Sequence, residues 1–254
     1  DRPCARNEKE TKLDFGLAYP GRLDAWKDQI RSEDSGFTHA WFYDSQMLYS
    51  DVYACMALAA EHTNTIKLGT GVAIPSNRIA PVTAHSIATI NELAPGRAIL
   101  GVGTGFTGRN TMGLPPVTLA KVRQYIDDCR ALLRGEEILF RENQHERWIR
   151  FLHPDKGFIN LLDKIPLYFA ANGPKAMGMA GEIADGWIGT SFTPEFGDAM
   201  LGDIRKGADG IGSELSDFDV HVGAAALGFA DEVDGLVDEE RMGRAFTLGA
   251  MGSK

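Results

Sequence analysis

The chain has 254 residues, 44% of them hydrophobic, and a formal net charge of −9. That length buries a sizeable core in one α/β domain, and the acidic balance makes nucleic acid and anionic membrane surfaces poor partners. Cys4, Cys55 and Cys129 stand far apart with no CxxC or Cys/His spacing, so no metal site is expected and a reducing cytoplasm is the expected location.

The first strand is read at 13–19, ending in Tyr19-Pro20-Gly21, with a helix over 23–34 closed by Gly36. Strand two is 37–43, with Asp44-Ser45 at its tip, and Ser50-Asp51 caps a helix over 52–62. Strand three is 66–74. Pro81 suits the first turn of a helix over 82–93. Strand four is 97–102. Leu119, Val122, Ile126, Cys129 and Leu133 recur at steps of three and four and mark an amphipathic helix ended by Gly135. An irregular polar stretch is expected over about 136–164. Strand five at 166–171 leads through Asn172-Gly173-Pro174 into a helix to residue 184, strand six is 186–189, a helix runs to about 208, and strand seven is 218–228. No run reaches membrane-spanning length, and residues 1–12 are too polar for a signal peptide.

Strands that are short, almost continuously apolar and separated by helices belong to a parallel sheet covered on both faces. Their C-terminal tips are polar or glycine-rich, which favours a TIM-type (β/α)₈ barrel over a doubly wound sheet, because a barrel gathers those tips on one face. Seven strands leave that barrel one short at its C-terminal end: either the chain is a short form or residues are missing. One domain over 1–254 is expected.

Gly101, Gly103, Gly105 and Gly108 cluster where strand four ends. Glycine lets a ligand approach the main chain closely, so the turn reads as a cradle or as a tight βα connection. A dinucleotide fingerprint needs a helix opening on its last glycine. Here residues 111–116, with two prolines, are expected to intervene, which argues against that fingerprint.

The order of motifs becomes recognisable over 36–45, 66–105, 166–188 and the helix 117–136. Together they resemble the bacterial luciferase-like monooxygenase superfamily, in particular its coenzyme F420-dependent branch similar to methylenetetrahydromethanopterin reductase. The resemblance implies a barrel that binds FMN or F420 at the strand tips, and a homodimer. It places Gly71-Val72 at a bulge, often a non-proline cis peptide, that backs the flavin ring. Asn172, Gly173, Pro174 and Lys175 then form a phosphate loop at a helix N-terminus, Thr190 and Ser191 a neighbouring phosphate-side loop, and Thr104 and Gly105 line the same cavity, so that the resemblance implies glycines that clear room for a flavin.

Two positions depart from the pattern of the F420-dependent dehydrogenases: Ser45 stands where a His follows the acid of strand two, and Phe106 where a Glu follows strand four. Asp44 is left as the candidate acid or base, with a cap or salt-bridge role as its plain alternative. Tyr19, Tyr43 and Phe106 are expected to line the substrate pocket. His39 is expected to be structural. The leading expectation is a monooxygenase using reduced FMN, supplied by a separate flavin reductase, to oxidise a small organic substrate. The alternatives are F420-dependent hydride transfer and a non-catalytic flavin-binding protein.

Overall fold

Alternation in the strands decides which side chains meet. In β2 (His39–Phe42), Ala40 and Phe42 are fully buried on one face. Phe42 lies beside Tyr19 of β1 (Gly16–Tyr19), whose hydroxyl is 2.5 Å from Ser32 Oγ on α1 (Trp26–Asp34). That face is the one covered by helices. His39 and Trp41 project from the other side.

The computed structural model describes residues 14–190 and 194–223. Its remaining main strands are β3 (Lys67–Thr70), β4 (Ala98–Gly103), β7 (Leu167–Ala170), β8 (Gly186–Thr190) and β9 (Asp219–Gly223). With β1 and β2 they form one seven-stranded sheet in the order β1-β2-β3-β4-β7-β8-β9, all pairs parallel. The sheet curls. His221 on the last strand lies 4.8 Å from the ring of His39 and 5.2 Å from that of Trp41, on the strand next to the opposite edge. The described strands therefore curl into the greater part of a barrel.

Helices α2 (Val52–His62), α3 (Ala80–Leu93), α5 (Leu119–Leu133), α6 (Pro174–Ile183) and α7 (Pro194–Gly210) cover the outside. Local chemistry sets their ends. Asp51 Oδ1 accepts from the N–H groups of Tyr53 and Ala54 at the start of α2, and a proline opens both α3 and α6. The core lies between sheet and helices, with Phe169, Trp187, Leu100 and Ile126 fully buried. Cys55 and Cys129 are buried free thiols within it.

Two expectations are corrected. The stretch expected to be irregular holds an antiparallel hairpin, β5 (Ile138–Glu142) and β6 (His145–Ile149). Its turn uses Asn143 at φ +54°, a conformation that Asn tolerates better than most residues. The glycine-rich tip of β4 also opens at once into a short helix, α4 (Phe106–Asn110), before the prolines. Among the described residues, no helix is long and apolar enough to cross a membrane.

Candidate functional site

Parallel strands put all their C-terminal tips at one end of the barrel. The glycines of β4 there make room for the protein itself, which corrects the reading that they clear space for a ring. A Cβ on Gly101 would lie 2.1 Å from the carbonyl oxygen of Thr70, one on Gly103 would lie 2.4 Å from Val72 Cγ2, and one on Gly105 would lie 2.5 Å from Ile74 Cγ2. The close approach is needed because the chain bulges after β3. The Gly71–Val72 peptide is cis, and Ala73 rejoins β4 through hydrogen bonds to Gly101 O and from Gly103 N–H at 2.7 and 3.0 Å. Gly105 is left-handed, at φ +80°, and caps α4.

Thr104, just beyond β4, shares one cleft of about 530 Å³ with Asn172, Gly173, Pro174, Lys175 and Ala176. Five residues expected around a cofactor are thus brought together. Gly173 caps α6 at φ +98°, and no side chain bonds the helix start. Pro174 lacks an N–H, and the N–H groups of Lys175 and Ala176 have no acceptor inside the helix. A Cβ on Gly173 would meet nothing within 4 Å, so the space before these donors is open. Lys175 is exposed beside them. The chemistry of this donor set, free amides at a helix N-terminus with an ammonium alongside, fits a phosphate. Thr190 ends β8, with its side chain outside the described residues, as is Ser191.

Asp44 is 7% exposed and takes two hydrogen bonds from Arg78 Nη1, at 3.2 and 3.0 Å. The other arm of Arg78 donates to Asp51, and its guanidinium lies 5.0 Å from the ring centre of Tyr53. Burial pushes the Asp44 carboxyl above its ordinary range, and Arg78 opposes that shift. The structure thus places Asp44 in an ion pair, the plain alternative weighed for it. Tyr19 does not reach the mouth: its hydroxyl turns outward to Ser32, because the strand's alternation sends it to the helix side. That corrects the expectation of a pocket-wall role. Tyr43 stands at the rim, 5.9 Å from Tyr49, with its hydroxyl pKa raised by burial. Phe106 is 62% exposed at the start of α4.

Arg78, Gln46 and Asn77 went unnoticed in the sequence. Gln46 donates to Gly108 O at 2.5 Å and accepts from Asn77 Nδ2 at 2.6 Å. The one available signal was a lone arginine between a strand tip and a helix, with Asp44 and Asp51 both wanting a counter-charge. His221 was also missed. It packs against His39, Trp41 and Tyr168 inside the barrel, and burial and its neighbours depress His39 to about 4. No group of three or more His, Cys, Asp or Glu among the described residues is placed to hold a metal ion.

A family model, luciferase-like monooxygenase, matches residues 14–250. A 5,10-methylenetetrahydromethanopterin reductase from Methanolobus tindarius is 34% identical over 193 residues, which is 74% of this chain and 56% of that protein. An F420-dependent glucose-6-phosphate dehydrogenase from Nakamurella multipartita is 33% identical over 165 residues, covering 62% of this chain and 47% of that protein. The solved coenzyme F420-dependent tetrahydromethanopterin reductase from Methanopyrus kandleri superposes with a TM-score of 0.69 at 27% identity, over 83% of this chain and 65% of that one. The chain therefore spans about half the length of the curated relatives it matches. Two solved monooxygenases, one holding FMN, superpose at TM-scores of 0.66 and 0.65 with 18% and 15% identity, which speaks for the fold alone. Between the two cofactors expected from the sequence, the sequence relatives favour F420 over FMN.

Proposed function

The chain belongs to the luciferase-like monooxygenase family, and from that premise we propose that it forms the cofactor-binding part of an oxidoreductase that uses F420 for hydride transfer. The observation that carries this reading is the cleft joining Thr104 to the uncapped start of α6, taken with relatives named as F420-dependent at 33% and 27% identity. F420, when bound, supplies or accepts the hydride. The amides of Lys175 and Ala176 hold its phosphate, with the Lys175 ammonium adding charge. The bulge at Gly71-Val72, which the resemblance places behind the ring, supports the flat part of the cofactor. Arg78 holds the Asp44 carboxyl in place beside the mouth of the barrel.

Fluorescence titration of the purified protein with F420, and separately with oxidised and reduced FMN, tests the reading. Saturable F420 binding with no measurable FMN affinity is expected. Binding of reduced FMN without F420 binding would overturn it in favour of oxygen chemistry.

A further inference from the structure

A separate cavity of about 290 Å³ lies at the other end of the barrel from the cofactor cleft. Leu167, where β7 begins, and Asp185, just before β8, stand on its wall, whereas the cofactor cleft gathers where β7 ends. The end of α5 and the chain leading into β7 complete it.

Charge in this cavity runs against that of the whole chain. Arg130, Arg134 and Lys164 share the space with a single carboxylate, Asp185, in a protein of net charge −9. That carboxylate is fully engaged. Lys164 Nζ lies 2.7 Å from its Oδ1, and its Oδ2 accepts from Leu167 N–H at 2.9 Å with Arg130 at 3.7 Å. Arg134 is left without an acidic partner among the described residues. Burial lowers the Arg130 pKa, Asp185 opposes that shift, and the like charge of Arg134 adds to it. An arriving anion relieves the repulsion between the two guanidinium groups.

The rest of the lining is aliphatic. Leu133, Leu161, Ile165 and Leu167 make the walls, and Leu162 stands at the rim, 98% exposed. Its turn is fastened. Asn160 Oδ1 accepts from the N–H groups of Leu162 and Asp163 at 2.9 and 3.2 Å. The buried Asn91 donates to the carbonyl oxygens of Asn160 and Asp163 at 3.1 and 2.9 Å. A leucine is thus fixed in solvent beside an aliphatic cavity that carries excess positive charge. Cations suit the end of a helix such as α5, but that role needs neither a cavity nor a fixed, exposed leucine.

We propose that this cavity is a second ligand site, for a medium-chain aliphatic carboxylate. The carboxylate lies between Arg134 and Arg130, since a guanidinium pairs with a carboxylate as a planar fork, and the chain runs along Leu133, Leu161 and Leu162. The volume stands at the small end of ligand pockets, which excludes a long chain. Asp185 in the same space disfavours a doubly charged phosphate. The site is remote from the cofactor cleft, so the inference stands apart from the F420 reading.

The test is calorimetric titration of the purified chain with octanoate, with 1-octanol, which has the chain without the charge, and with inorganic phosphate, which has charge without the chain. Octanoate binds saturably, and the other two bind at least about tenfold more weakly. Arg134→Gln weakens octanoate by about tenfold and leaves octanol within about twofold. Leu162→Asn weakens octanoate and octanol alike, by about fivefold or more. Both side chains face solvent, so both variants melt with the parent, and F420 binding is unchanged in each. The proposal is overturned if octanoate does not saturate, if octanol or phosphate matches it, or if both variants bind octanoate as the parent does. A lowered melting temperature in both variants also overturns it, since Arg134 and Leu162 would then be holding the fold. Failure of F420 to bind, with octanoate binding still dependent on Arg134 and Leu162, would sink the cofactor reading and leave this site standing.

Discussion

Gly173→Asp separates a phosphate grip from a plain turn. Gly173 has φ +98° and ψ +156°, and a Cβ there meets no atom within 4 Å. Any substitution is therefore spared a clash, and its cost is confined to the backbone, roughly 1–3 kcal/mol for an L-residue in that region. Aspartate adds a carboxylate at the cap position, where it accepts from the free amides of α6 and repels an arriving phosphate. A hydrogen bond to a charged group contributes about 1.5–3 kcal/mol, and the helix terminus about 0.3–1 kcal/mol or more where partly buried. Losing one such bond already exceeds the roughly 1.4 kcal/mol that equals tenfold in Kd. F420 should bind Gly173→Asp at least about tenfold more weakly, while the deazaflavin fragment lacking the phosphate changes within about twofold. Gly173→Ala carries the same backbone cost without the charge and should affect both ligands alike and slightly. Fluorescence titrations of the two ligands on the two variants decide it. Equal losses for both ligands in Gly173→Asp, with circular dichroism unchanged, would refute the placement of the phosphate.

Removing the Arg78 guanidinium leaves Asp44 as a buried charge without its partner. Urea titration of Arg78→Gln should show a loss of about 3–5 kcal/mol, most of it recovered in the Asp44→Asn/Arg78→Gln double variant; a single variant within 1 kcal/mol of the parent, on the order of a surface pair, would contradict the ion pair's burial. His39 titrates near 4 in the folded protein against about 6.5 in a free chain. The unfolded chain therefore binds the extra proton between those values, and stability falls as pH drops from about 6.5 to 4, by at most about 3 kcal/mol from this group. His39→Gln should flatten that part of a denaturation-against-pH curve, and an unaltered slope would argue against a neutral buried imidazole. Gly101→Ala sets a methyl 2.1 Å from a backbone oxygen of β3, which neither strand can evade by a rotamer change. A melting curve should show it destabilised by about 1–3 kcal/mol; parity with the parent would mean that β3 and β4 are not this close.

Elements whose cause lies within a few residues were legible in the sequence. The helix at Val52–His62 has the expected bounds, because Asp51 supplies the cap and the next residues suit a helix. The parallel order of the strands followed from their apolar runs and regular spacing, and the meeting of Thr104 with Asn172 and Gly173 was legible once strand tips were assumed to share a face, whereas Pro174 and Lys175 came with the family resemblance. Other features depend on partners far along the chain. A strand pattern does not say which face meets the helices, so Tyr19 was assigned to the mouth when its hydroxyl reaches Ser32 on the outside. The hairpin at 138–149 alternates too weakly to stand out until its two halves pair. The glycines of β4 signal only that side chains are excluded. The curled sheet decides that the excluding atoms are Thr70 O, Val72 and Ile74. Asp44 carries an acid's identity in the sequence, but its chemistry comes from a guanidinium 34 residues away. Propensity, capping and periodicity are properties of neighbours in sequence, and the chain alone determined what they govern. Burial, ion pairing and close approach are properties of neighbours in space, and these only the folded barrel decided.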